Sequence, residues 1–242
     1  YANNFILSFF LDPGNTSTGG RFWDSYYNVC ENFGSENLQL IRGDAIHGSG
    51  QNIEELIKLN QPFVLRGYDS RTAKNFSKNL SKNKWIEFDN YTKIHDLGWQ
   101  EISSCKYPVK IVLQKIYRPK KDKTLHRFLC LNIKGLGGDR CAWLYNGRVG
   151  IESLIETEKN GLHITNLKSR KYTANIAFMY LASITHNLIT AFRNEVLSKI
   201  GLENNGIKEI TRRLMNIPAK IDKNGKLLFP KLHPMVKQMF KN

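Results

Sequence analysis

The sequence predicts a mixed α/β fold, and three observations carry that reading. Short apolar strands and amphipathic helices alternate through roughly the first 60 residues. A β-rich stretch broken by turns follows from 62 to 132, and the helical apolar period returns after Gly137-Gly138. At 242 residues, 41% of them hydrophobic, the chain can form one large domain or a domain with a sizeable insertion.

The elements follow in order. Residues 4–11 (NFILSFFL) are an apolar run ended by Asp12-Pro13-Gly14, a strand closed by a turn. Residues 20–32 read as a helix with Phe22, Tyr26, Val29 and then Phe33 on one side. Residues 38–42 form a second apolar strand that delivers Asp44 at its end, and 53–59 form a second helix. Beyond them, runs at 63–65, 85–88, 109–116 and 128–133 alternate with turn-rich segments and predict strands, with no good helix among the later ones. Residues 118–123 (RPKKDK) read as a basic hairpin tip, a solvated loop before a direct DNA contact. Residues 142–160 predict one amphipathic helix, although Gly147 and Gly150 each weaken it by about 1 kcal/mol relative to Ala. A long buried helix spans 172–200. The tail, 206–242, holds a short helix with Arg212 and Arg213 and a hairpin turning at Asp222-Lys223-Asn224-Gly225.

Charge narrows the function classes. The chain carries 36 Lys and Arg against 21 Asp and Glu, a net +15, which favours a polyanionic partner, nucleic acid before membrane. Residues 172–192 contain no Lys, Arg, Asp or Glu. Their polar members (Thr173, Asn175, Ser183, Thr185, His186, Asn187 and Thr190) and the basic flanks argue for a core helix over a membrane span. Cys30, Cys105, Cys130 and Cys141 lack any ligand spacing and read as reduced structural thiols of a cytoplasmic protein.

Tyr145, Arg148, Glu152 and Lys159 are the residues most open to chemistry. On one continuous helix they share an arc of about 60° along roughly 21 Å of axis. Leu144, Ile151, Ile155 and Leu162 would form the apolar stripe beside them. One carboxylate between cations and a phenol suits a metal-assisted site on a phosphodiester, the acid holding the ion and Arg and Lys the phosphates. Asp44 is the natural second carboxylate, since a residue ending an apolar strand can project from the sheet's carboxyl edge.

The spacing Y-x2-R-x3-E-x6-K resembles the signature of a large group of bacterial insertion-sequence DDE transposases at every fixed position. LSFFLDPGN, the helix after it and LQLIRGD resemble the family's segment before its second acid. After Asp44, however, Ala45-Ile46-His47-Gly48 replaces the usual Ser-Gly-Phe. FLCLNIKGL, NIAFMYLASITHNLITAFR and EITRRLMNIPAKIDKNGKLLF resemble the strand before the signature helix, the core helix after it and the C-terminal helix and hairpin.

The resemblance implies a ribonuclease-H-like core with a β-rich insertion between the second and third catalytic acids. Residues 1–61 would be the second part of that core, 62–127 the insertion, 128–200 the remainder of the core, and 201–242 a basic tail. It further implies Asp44 and Glu152 as catalytic metal ligands and Tyr145, Arg148 and Lys159 as DNA contacts. Two Mg²⁺ or Mn²⁺ ions, double-stranded DNA and a homodimer of the intact enzyme would be the partners, in a bacterial cytoplasm. The first Asp of the family's triad has no counterpart, because Asp12 lies in a turn and Asp24 in a helix. Opening on Tyr1 inside an apparent strand, the chain reads as a piece of a longer enzyme unable to cut or join DNA alone. The rivals are a DNA-binding relic and a nuclease on the same core.

Overall fold

The computed structural model describes residues 5–12, 21–78, 80–81, 84–102, 104–147, 149–165, 169–212, 216, 219–228 and 234. It divides into two compact units, Asp12–Val149, and Tyr1–Leu11 with Gly150–Asn242.

The first unit is built on one six-stranded mixed sheet. Helix α1 (Phe22–Phe33) precedes strand β1 (Ile41–Gly43), helix α2 (Gly50–Lys58) and strand β2 (Phe63–Arg66). Helix α3 (Ser70–Lys78) and strands β3 (Ile86–Glu87), β4 (Thr92–Ile102), β5 (Cys105–Arg118) and β6 (Lys123–Leu131) follow, then helix α4 (Gly138–Asn146). The strand order is β1-β2-β6-β5-β4-β3; β1 and β2 are parallel and every other pairing is antiparallel. The β-rich stretch therefore continues the sheet that β1 and β2 begin. Both faces are covered at the centre of the sheet, so 63–65, 111–113 and 128–131 are apolar at every position. Phe63, Leu65, Ile111, Leu113, Phe128 and Cys130 share one face with Tyr26 of α1, Ile53 and Leu56 of α2 and Ala73 of α3. Val64, Val112, Leu129 and Leu131 share the other with Cys141, Ala142 and Tyr145 of α4.

Local chemistry explains several details. Ser49 caps α2 by accepting from Asn52 N at 3.3 Å, and the Trp23 indole ties α1 to α2 by donating to Asn52 Oδ1 at 2.9 Å. The basic residues 118–123 do form the tip joining β5 to β6, with Asp122 left-handed (φ 41°) and accepting from the Tyr117 hydroxyl at 2.9 Å. Between Asp96 and Gly98 the β4–β5 register shifts, and Gly98 (φ +72°) donates to Asp96 Oδ1 at 2.9 Å. Lys110 bonds Asp96 Oδ2 at 2.8 Å and the Leu136 carbonyl, pinning the loop that leads into α4.

The second unit holds helix α5 (Val149–Gly161), helix α6 (Tyr172–Phe192), helix α7 (Ile207–Ile210) and the hairpin β7 (Lys220–Ile221) and β8 (Leu227–Leu228). One π-helical and one 3-10 segment prolong α6 to Ile200. Ile189, Leu197, Ile207 and Ile210 are its buried apolar cluster. The predicted tail hairpin is present, with Gly225 (φ +78°) in its turn and Lys226 N donating to Asp222 Oδ1 at 2.8 Å. Arg212 follows α7; Arg213 lies outside the described residues.

Four expectations need correction. The segment at 5–12 is not a strand beyond an isolated bridge at Phe5. The Asn187 side-chain amide donates to Ile6 O at 2.9 Å and accepts from Ile6 N at 2.8 Å, so a side chain stands where a neighbouring strand would. The stretch after β2 contains a helix, α3, which its polar composition concealed. The helix predicted at 142–160 is divided into α4 and α5, with Gly147 in a turn. There an added Cβ would lie 2.1 Å from Arg42 Nη1, so glycine makes room for that guanidinium. Finally, α6 is buried on one side only: Ala182, His186, Ile189 and Thr190 face inward, whereas Leu181, Ile184 and Leu188 are exposed. Among the described residues no helix is long and apolar enough to cross a membrane.

All four cysteines are free thiols. Burial pushes the Cys141 thiol up to about 11 and raises those of Cys105 and Cys130 as well, keeping them protonated and unreactive. A thiol-specific disulfide reagent at pH 8 should therefore modify only half-buried Cys30 in the native chain. All four should react in denaturant, as counted by released chromophore.

Candidate active site

Asp44 stands immediately after β1, at the carboxyl end of the parallel strand pair, where side chains leave the sheet edge. Its loop is tightly specified. Asp44 Oδ1 accepts from Ile46 N at 3.1 Å, its carbonyl accepts from His47 N at 3.2 Å, and His47 Nε2 lies 4.0 Å from Oδ1. The His47 ring stacks on Phe22 at 5.2 Å, and its carbonyl accepts from Asn52 Nδ2 at 3.0 Å. Gly48 closes the turn against the Arg66 carbonyl, where a Cβ would sit 1.9 Å from the oxygen. The departure Ala45-Ile46-His47-Gly48 thus makes an ordered turn that leaves Asp44 half-exposed.

Arg42, two residues before the acid, reaches across to α4. Its Nη1 donates to the Leu144 carbonyl at 3.2 Å, in the last turn of that helix. A cation there complements the negative end of the helix dipole and satisfies a carbonyl with no partner inside the helix. Tyr145, next in sequence, is 5% exposed and packs among Val64, Ile94, Val112, Leu129 and Leu131. The Asp44 strand and the Tyr145 helix are therefore joined through one guanidinium. Arg42→Ala should loosen the end of α4 and lower stability by about 1–3 kcal/mol, read by urea denaturation.

Arg148 lies outside the described residues. Positions 152 and 159 are both on α5, in the second unit, about 20° apart around its axis, and the Lys159 side chain is exposed. The side chain of Glu152 is outside the described set. Three of the four signature positions thus fall on two helices, Tyr145 on α4 and positions 152 and 159 on α5. Leu144 and Leu162 pack on the cores of different units, and Ile151 and Ile155 are only half-buried.

A hard divalent cation takes carboxylate oxygens, and Asp44 Oδ2 has no hydrogen-bond partner among the described residues. Among those residues no group of three His, Cys, Asp or Glu is arranged to hold a metal ion. Asp44 accordingly fits such an ion as one ligand of a set.

Two features escaped sequence reasoning: Arg42 as a link between strand and helix, and a buried carboxylate–imidazole contact between Glu158 and His186. The second had no local signal, since a glutamate in a charged helix reads as a solvated face.

A family model described as transposase DDE domain group 1 matches residues 3–240. No curated protein matches the chain.

Proposed function

The chain belongs to the transposase DDE domain group 1 family, and from that premise we propose that it is the catalytic part of an enzyme that cleaves phosphodiesters at transposon ends and joins the freed 3′-hydroxyl to target DNA. One observation carries the reading: a half-exposed carboxylate, Asp44, at the carboxyl end of a parallel strand pair, in a chain matched by the family over almost its whole length. The α/β fold agrees with a ribonuclease-H-like core. The division at 1–61, 62–127, 128–200 and 201–242 stays part of this proposal.

In this reading Asp44 and Glu152 hold Mg²⁺ or Mn²⁺. Ions held there lower the cost of forming the attacking oxygen and of releasing the leaving one. Arg148 and Lys159 bind phosphates on either side of the scissile bond, where a cation on a stem needs little geometry. Tyr145, packed in the core of its own unit, fixes the end of α4. The net +15 charge supplies the sequence-independent share of the affinity for double-stranded DNA. The exposed tip at 118–123 adds to that field.

Lys159→Ala should weaken binding of a random 30-base-pair duplex and reduce the salt slope, d log K/d log[salt], by about 1 in magnitude. Fluorescence anisotropy across a salt series reads both, and an unchanged slope would remove Lys159 from the interface. Products from DNA carrying the element's own ends separate the rivals. Cleavage without joined product marks a nuclease, and salt-sensitive binding with neither marks a relic.

A further inference from the structure

Helix α5, which the proposal above gives both a metal ligand and a phosphate contact, rests on a polar seat. Of its described side chains only Glu158 is buried; Ile151, Leu154 and Ile155 are half-buried, and Ser153, Glu156, Lys159 and Asn160 are exposed. Glu158, 4% exposed, places Oε1 3.0 Å from Nδ1 of His186, which is fully buried on α6. One turn further along α6, Thr190 Oγ1 lies 3.4 Å from His186 Nε2. Among the described residues, further attachments lie at the carboxyl end of α5. A Cβ on Gly161 would lie 2.9 Å from Ile207, and Leu162 joins the cluster around Ile189 and Leu197.

Apolar stripes tolerate small rotations and slips of a helix, because one methyl contact replaces another. A buried carboxylate tolerates them less, since turning away from the imidazole gives up a specific polar contact at a desolvated site. Buried polar contacts of this kind are best attested as devices that fix register. At 100° per residue, positions 159 and 152 lie about 100° and 120° round α5 from Glu158, on the same side, with 152 roughly 9 Å towards the amino end. Turning Glu158 into the α6 interface therefore determines where both positions point.

We propose that Glu158 and His186 are positioning residues, which set the rotation of α5 on α6 and thereby aim Glu152 and Lys159 at the DNA. This inference rests on the functional reading of those two residues. It makes a prediction of unexpected sign. Charge alone would make removal of a carboxylate next to Lys159 strengthen DNA binding; loss of aim weakens it.

The test uses the full chain and a random 30-base-pair duplex. Glu158→Leu combined with His186→Leu fills the same space with apolar groups, so the fold and its melting temperature should persist. Its duplex affinity should nevertheless fall by about the same factor as in Lys159→Ala. Glu158→Gln, which can still meet the ring nitrogen but carries no charge, should bind as tightly as the parent or slightly tighter. Glu158→Ala should raise amide exchange over 149–161 at least tenfold. Parental affinity in the double leucine variant, with Lys159→Ala weakened, overturns the positioning role. If Lys159→Ala binds normally, the DNA role of Lys159 falls instead. Exchange in Glu158→Ala then decides the seat by itself, and an unchanged rate overturns it.

Discussion

Asp44→Asn or Glu152→Gln should reduce strand cleavage by about a thousandfold or more, while duplex binding stays equal or rises slightly. The rate effect follows if the proposed ligand role is right, since a metal ligand is worth several kcal/mol of stabilisation of the developing charge, at about 1.4 kcal/mol per tenfold in rate. The binding effect has the opposite sign because each change removes a negative charge from a surface that meets phosphates. Gel separation of nicked and joined products, with anisotropy on the same preparations, reads the two together. Variants that lose cleavage only in proportion to lost binding would show Asp44 and Glu152 to be structural. A readout independent of turnover is Mn²⁺ binding by electron paramagnetic resonance, which should weaken in Asp44→Asn.

Gly48→Ala should destabilise the chain by roughly 2–3 kcal/mol, near the upper end for overpacking a filled site. Its new Cβ would meet the Arg66 carbonyl at 1.9 Å, and a backbone oxygen in strand β2 cannot rotate away as a side chain would. Strand β2 pairs with β1 on one side and β6 on the other, so the displacement has to be taken up by the turn that carries Asp44. Thermal and urea unfolding should both shift, and cleavage should fall further than the unfolded fraction explains. A variant as stable as the parent would show the turn to be more compliant than its packing implies.

The strands around 111–113 and 128–131 were legible because both faces of the sheet are buried there, leaving short apolar runs bounded by turns. Helix α3 was not, since SRTAKNFSK offers only Ala73 and Phe76 to the core and resembles a loop. The apolar run at 4–11 suggested a strand because composition reports burial, not the partner. That partner proved to be an amide 181 residues away. At the candidate site, the position of Asp44 after a strand could be read locally, as could the glycine that weakens the predicted helix at 147. The reason for that glycine, Arg42 arriving from β1, depends on a contact 102 residues long. The Glu158–His186 contact is hidden for the same reason: its two halves look polar and ordinary until the helices meet.

The clasp between Ile6 and Asn187 bears on the order of synthesis. A chain leaves the ribosome from its amino end, so Ile6 emerges long before the helix that will hold it. All of the first unit up to Val149 is made in between, and it can fold around its own sheet while the segment around Ile6 waits. The clasp is then among the last native contacts to close, and slowing elongation across the α6 codons should prolong protease sensitivity around Ile6 in the nascent chain.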